Sequence, residues 1–482
     1  MKRLIALVLC AACLCASAAS AATAAPSIGG KAAHTVTVEM GAGVSADVVF
    51  AQGSVSKDQS AAELLRAAAA RSNLLAACSG GTFNVSGAAK LDGYGNVPCC
   101  YASVVKNGAL VNGGGEGVYL GFTADGRALI DVTEATLRVG FSGREIAVDG
   151  VNKYYPDKAD AALLFTPEAG CDLPVPASAK AAKIVNGRVS AVLSSGKMAC
   201  APGTYYFVCG KDRLSQLPAV GASVSFATAF SDSAWSGVTT AVSCGPWLLH
   251  NGNAAPAESP YSYLSGTVSP DAVGSRTFAA VLSDGSLMLG TCTASARQLV
   301  VYLLSLHARD AMLLDGGASS LLSASGSVLT STDRRLNHIL CVYGAAPKAV
   351  LTEQKLTVNG AAKQAEIYNI DGSNYFKLRD VAALLTGTPS QFSVGYDSAR
   401  NTVTVRTGSA YTPQAGDLQT GTDRSETAVV SAQRVEINGR AADLTAYNIG
   451  GNNFFKLREL GAALNFTVGY EEATRTITIH SR

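Results

Sequence analysis

The stretch Ala311-Met312-Leu313-Leu314-Asp315-Gly316-Gly317-Ala318-Ser319-Ser320 runs an apolar segment straight into a carboxylate. Two glycines follow the acid. Glycine takes positive φ without steric cost and lets a ligand approach the backbone amides. Successive N–H groups in such a turn form an anion-binding nest. Ser319 and Ser320 add hydroxyl donors. One acid beside several donors suits a phosphorylated substrate. The same residues also suit a strand-ending aspartate that caps a turn, and by themselves they leave both readings open.

The elements that must position this segment are mostly strands. From 34 to 345 the chain carries short β-rich runs such as Val36 to Met40, Ala161 to Thr166 and Thr204 to Cys209. Asn107-Gly108, Asp125-Gly126, Asn186-Gly187, Asn251-Gly252 and Asp284-Gly285 are turn dipeptides between them. Helical spacing stands out twice. Asp58 to Ala77 places Leu64, Leu65 and Ala68 on one face, and Ala294 to His307 places Leu299, Leu303 and Leu306 likewise.

Composition narrows the function classes. The 482 residues exceed one ordinary domain. Lys plus Arg is 38 and Asp plus Glu is 36. So balanced a chain gives no electrostatic reason to expect nucleic acid or an anionic membrane surface. Lys2 and Arg3, the apolar run Leu4 to Leu14 and the small-residue site Ala22-Thr23-Ala24 predict an export signal over residues 1–24. The run is too short to span a bilayer, and no later stretch reads as a transmembrane segment. Of twelve cysteines, Cys10, Cys13 and Cys15 lie in that leader. The rest show no zinc-ligand spacing and read mainly as buried thiols. His34, His250, His307, His338 and His480 are scattered and read as structural. Trp235 and Trp247 are candidates for stacking on a sugar or for core packing, Trp247 the better placed for stacking.

From Thr352 the sequence repeats itself. Val358-Asn359-Gly360 returns as Ile437-Asn438-Gly439, and Tyr375-Phe376-Lys377-Leu378-Arg379 returns as Phe454-Phe455-Lys456-Leu457-Arg458, both at an offset of 79. Gly395-Tyr396 returns as Gly469-Tyr470 at an offset of 74. Each copy, 352–407 and 431–482, predicts a separate small α+β module, with a polar linker over 408–430. The Tyr/Phe-Phe-Lys-Leu-Arg stretch and the Gly-Tyr pair resemble the copper amine oxidase N-terminal-like, or stalk, domain. That resemblance implies no copper site. It implies a spacer, or a module for cell-wall association or glycan binding.

The segment from Leu314 to Ser320 resembles the leucine-aspartate-glycine-glycine-glycine-serine signature of the phosphodiester glycosidase family, with Ala318 for the third glycine. Further blocks follow the family's order over 34–345. Cys78-Ser79-Gly80-Gly81-Thr82-Phe83 matches its asparagine-glycine turn with Ser79 for asparagine. Val104 to Gly108 matches the next strand and turn. Val151-Asn152, followed by Leu163 to Gly170, matches the asparagine and threonine-proline blocks. Cys244-Gly245-Pro246-Trp247-Leu248 matches the glycine-proline block. Ser275-Arg276-Thr277 has serine for proline, and Arg334 is followed by His338 at a usual asparagine.

The resemblance implies a secreted or cell-surface hydrolase that cleaves the sugar side of a sugar-1-phosphodiester, on cell-surface or environmental glycans. It implies Asp315 and Arg276 as catalytic residues, Asp315 as acid/base, nucleophile or ligand of a divalent cation, and Arg276 as the phosphate clamp. It implies substrate contacts from Gly316, Gly317, Ser319, Ser320, Gly245, Trp247, Gly81, Thr82, Asn152 and Arg334. Asp315 and Arg276 share a cleft only if their strands run antiparallel or Arg276 lies on a loop. The expected fold is α+β: a strand-rich mixed α/β catalytic domain followed by two small α+β repeat modules. The departures at Ser79, Ala318, Ser275 and His338 keep an inactive glycan-binding or scaffold protein of the same fold as an alternative, and family labels add exopolysaccharide assembly.

Overall fold

The computed structural model describes residues 21–70, 73–84, 99–153, 158–265, 269–345, 348–397, 402–431, 433–442 and 444–482. The leader before residue 21, and Pro347 at the expected boundary between the regions, lie outside them. The fold is the strand-rich α+β type expected.

Local signals explain many of the elements. Asn107-Gly108, Asn186-Gly187 and Asn251-Gly252 all hold positive φ at both residues, the geometry of a two-residue hairpin turn. They close the hairpins Val104–Lys106 with Ala109–Asn112, Ala179–Val185 with Arg188–Leu193, and Trp247–His250 with Asn253–Ala254. The first helix is shorter than the spacing suggests. It spans Ala61–Ala69 and starts at a reciprocal Ser60–Glu63 capping box. Ala77 belongs instead to the buried strand Leu74–Ser79. The second helix spans Ala296–Ser305 and starts at a Ser295–Gln298 box. Ala294 ends the preceding strand, Leu306 caps the helix, and Leu299 and Leu303 are buried.

Three sheets meet around one core. The first runs, edge to edge, Ala21–Ala24, His34–Val38, Leu287–Ala294, Gly274–Leu282, Ala308–Leu314, Trp247–His250 and Asn253–Ala254. The second runs Ser327–Thr330, Leu322–Ala324, Leu74–Ser79, His338–Tyr343 and Ser45–Phe50. The third contains Ala109–Asn112, Val104–Lys106, Val238–Cys244, Gly115–Thr123 and the long strand Ala128–Phe141. Val36, Met312, Leu340, Cys78, Leu120 and Val242 bring all three into one apolar cluster. The helix Ala296–Ser305 covers the other face of the first sheet, through Leu299, Phe278 and Leu313. The helix Ala61–Ala69 covers the second. Ala21–Ala24 forms the edge of the first sheet, antiparallel to His34–Val38.

The C-terminal region departs from the expectation of two separate modules. Strand Ser373–Lys377 of the first copy pairs antiparallel with Asn452–Lys456 of the second. Lys355–Val358 of the first copy pairs parallel with Thr476–Ser481 of the second, and Arg434–Ile437 of the second pairs parallel with Thr402–Thr407 of the first. One core holds Leu356, Phe376, Val435, Phe455 and Ile477 together. The copies exchange strands and fold as one pseudo-twofold unit. The segment expected to be a linker is a strap. Tyr411 is buried in the shared core, Leu418 donates its N–H to Asp380, and Arg424 pairs with the buried Glu366 at 2.9 Å. One aromatic anchor and these polar ties hold a segment whose composition reads as free.

Candidate active site

The Asp315 segment is the crossing from the first sheet to the second. Asp315 leaves the strand Ala308–Leu314, and the chain passes through a short turn at Gly317–Ser319 into Leu322–Ala324. Two other crossings converge there. Gly80 and Gly81 follow the strand Leu74–Ser79 of the second sheet, and Gly245-Pro246, joined by a cis bond, carries the chain from the third sheet into the first.

Close packing requires the glycines. A Cβ on Gly81 would lie 2.3 Å from the Ala102 methyl and 2.4 Å from the Ser243 carbonyl. A Cβ on Gly316 would press on the Ser275 carbonyl at 3.0 Å. Gly317 has φ +59, in the left-handed region that favours glycine.

Hydrogen bonds fix the turn. Asp315 donates its N–H to the Gly80 carbonyl at 2.8 Å. Ser79, which stands where the family has asparagine, is buried and staples both sides of the turn. Its hydroxyl donates to the Ser319 carbonyl at 2.5 Å and accepts from the Leu321 N–H at 3.0 Å. Ser320 meets Ser275 hydroxyl to hydroxyl at 2.9 Å. The N–H groups of Ser319 and Ser320 close the turn onto Gly316 and Gly317. Those of Gly317 and Ala318, both exposed, take no acceptor among the described residues.

The carboxyl group is perturbed. Burial pushes Asp315 up to about 6, because an ion loses hydration there. The Ser319 hydroxyl, the Arg334 guanidinium and the Gly316 N–H pull the other way. Arg334 is exposed and donates to the Ser319 hydroxyl at 3.4 Å. Arg334 therefore sits beside the acid, a place the sequence reading gave to Arg276.

Arg276 requires a correction. Its strand is antiparallel to Ala308–Leu314, with Thr277 opposite Leu314, and its Cα lies near Gly316. Its guanidinium, however, donates to the Ala272 carbonyl at 2.8 Å and the Ala294 carbonyl at 3.4 Å. The charge that acts on Asp315 is that of Arg334, not of Arg276. Trp247 and Asn152 are corrected too. Trp247 is 6% exposed and packs on His250 at 4.6 Å between centroids. Trp235 is likewise in a core, against Tyr119 and Phe230. Asn152 spends its amide on Val111 and Thr166. The remaining expected residues, Gly81, Thr82, Gly245, Gly316, Gly317, Ser319 and Ser320, lie on the converging crossings. Thr82 is exposed, and its carbonyl accepts from Tyr101 and Ala102.

Two further groups build the site from behind. His338 is buried, and its Nε2 accepts the Gly81 N–H at 2.9 Å. Nδ1 therefore carries the proton, shared with Asn337 Oδ1 at 3.0 Å. Burial pushes His338 down to about 3, so the ring is neutral and holds the glycine turn. Cys244, half-buried, lies close enough for Asp315 to bear on its thiol, which burial drives to about 12. It is a protonated wall rather than a nucleophile. Its position beside the glycine-proline block was the available sequence signal. Among the described residues no three His, Cys, Asp or Glu side chains could hold a metal, and the charged neighbour of Asp315 is a guanidinium.

Residues 179–343 match the family model described as phosphodiester glycosidase. The match includes Asp315 and Arg334, whereas the motif resemblance extends over 34–345. No curated protein matches the chain. A crystal structure of a hypothetical protein from Synechocystis superposes with a TM-score of 0.53 at 18% identity. The superposition covers 68% of this chain and 62% of that one. The two share a fold, and this chain spans under two thirds of the other's length. The catalytic domain of zebrafish N-acetylglucosamine-1-phosphodiester alpha-N-acetylglucosaminidase, auto-inhibited by its pro-peptide, gives a TM-score of 0.35 at 14% identity. That comparison covers 67% of this chain and 82% of the zebrafish domain.

Proposed function

We propose that the chain is an exported phosphodiester glycosidase that hydrolyses the sugar side of a sugar-1-phosphodiester on cell-surface or environmental glycans. The observation that carries this reading is a carboxyl raised to about 6 beside the exposed Arg334 and the neighbouring, exposed residues Gly317 and Ala318, whose N–H groups take no acceptor among the described residues. The phosphate binds Arg334 through charged hydrogen bonds and the two N–H groups through the nest. The Asp315 carboxylate accepts a proton from water as its oxygen attacks the anomeric carbon. The bond from that carbon to the phosphate oxygen breaks, and the phosphomonoester leaves with the electron pair. Phosphate is a good leaving group, which removes the need for the second carboxyl that glycosidases ordinarily supply as acid. The products are a free sugar and a phosphomonoester.

The test is release of reducing sugar from the methyl ester of N-acetylglucosamine-1-phosphate by the purified protein. Sugar release that Asp315→Asn abolishes supports the reading. No release by the wild type, or equal release by the variant, refutes it.

A further inference from the structure

Strand exchange between the C-terminal copies builds two clefts from matching residues. The first, of about 540 Å³, takes Lys456, Arg458 and Tyr470 from the second copy and Asn374 from the first. The other, of about 380 Å³, takes Lys377, Arg379 and Tyr396 from the first copy and Asn453 from the second. These are the same repeat positions with the copies interchanged. Neither cleft exists in one copy alone, because the strand pairing of Lys377 with Phe454 and of Tyr375 with Lys456 brings each turn to the other copy's helix.

Their polar groups are set for a ligand. Tyr470 and Tyr396 are 44% and 59% exposed, large aromatic faces left in solvent at equivalent places. Asn369 donates to Asn374 Oδ1 at 2.9 Å, and Asn448 donates to Asn453 Oδ1 at 3.1 Å. Each cleft-lining amide is thus held by its oxygen and offers its Nδ2 as a donor.

Charge separates the two clefts. Arg379 is neutralised by the strap: it pairs with Asp417 at 3.5 Å and donates to Gln414 at 3.4 Å. Asp417 is itself fixed by the Tyr411 hydroxyl and the Gln414 N–H. The strap occurs once, so it serves one cleft. Arg458, exposed, has no hydrogen-bond or ion-pair partner among the described residues, and it lines an adjoining recess together with Arg482.

We infer that the cleft of Arg458 and Tyr470 is a binding site for an acidic polysaccharide. A sugar ring lies on the Tyr470 face, an acidic substituent pairs with Arg458, and Asn374 donates to a ring hydroxyl. The site is separate from Asp315 and gives the C-terminal unit a role in holding the protein on a glycan surface.

The experiment is native gel electrophoresis of the full chain through polygalacturonate, with dextran and polyglutamate as neutral-sugar and sugar-free anionic controls. Polygalacturonate retards the wild type and Asp315→Asn alike. Apparent affinity falls at least tenfold in Arg458→Ala and in Tyr470→Ala, both exposed positions whose replacement leaves the core intact, and less than twofold in Arg379→Ala. The site is refuted if polygalacturonate does not retard the wild type. It is equally refuted if polyglutamate retards the protein as strongly, or if Arg458→Ala and Tyr470→Ala bind like the wild type. Loss of retardation in Asp315→Asn would assign the binding to the catalytic unit instead.

Discussion

Replacing Asp315 with asparagine should stabilise the protein while removing turnover, and the gain should depend on pH. The folded-state carboxyl titrates at about 6, against an ordinary value of 3.8. At about 1.4 kcal/mol per pH unit, keeping it ionised costs the folded state about 3 kcal/mol. Between those two values the folded chain binds the proton more tightly than the unfolded chain, so stability falls as pH rises through the window and stays lowered above it. Asparagine has no charge to desolvate. Its advantage over aspartate should therefore grow by about 2 kcal/mol between about pH 4.5 and pH 8. His338 destabilises the fold as pH falls below the ordinary histidine range, because burial holds its folded value near 3. It is present in both proteins and cancels in the difference. Urea unfolding followed by tryptophan fluorescence isolates the relevant unit, since the two tryptophans, Trp235 and Trp247, both lie in its cores. An advantage that is flat with pH, or larger in acid, would show that the Asp315 carboxylate is not desolvated as the geometry requires.

Four other outcomes follow from the structure. With Asp315 acting as the ionised base, kcat/KM for a sugar-1-phosphodiester should rise through an apparent pKa near 6; a rate that falls over this range would make the carboxyl an acid. Arg334→Ala should raise KM for phosphate-bearing substrates and move that limb to higher pH, because the guanidinium holds the Asp315 pKa down. Arg276→Ala should instead lose about 1–3 kcal/mol of stability with the limb unmoved, and a reversal of the two would restore Arg276 as the clamp. Deleting residues 431–482 should leave the first C-terminal copy without a cooperative unfolding transition, since Leu356 and Phe376 lose their cross-copy cover; a cooperatively folded remnant would contradict the exchanged core.

Local chemistry was readable in the sequence. An Asn-Gly pair sets its own φ values, so hairpins could be placed before any tertiary contact was known. The Asp315-Gly316-Gly317 turn announced itself for the same reason, and the copies betrayed themselves by a fixed offset. What the tertiary structure alone decided was direction and partner. Arg276 donates to the Ala272 and Ala294 carbonyls, partners that no spacing in the sequence announces. The folded chain leaves Arg334, from the loop before His338–Tyr343, beside the acid instead. The burial that raises Asp315 likewise arises from segments far apart in the chain. In the C-terminal unit, Lys355–Val358 could complete its sheet with a strand of either copy, because both copies carry the same apolar pattern. Only the folded arrangement selects Thr476–Ser481, and with it the two shared clefts.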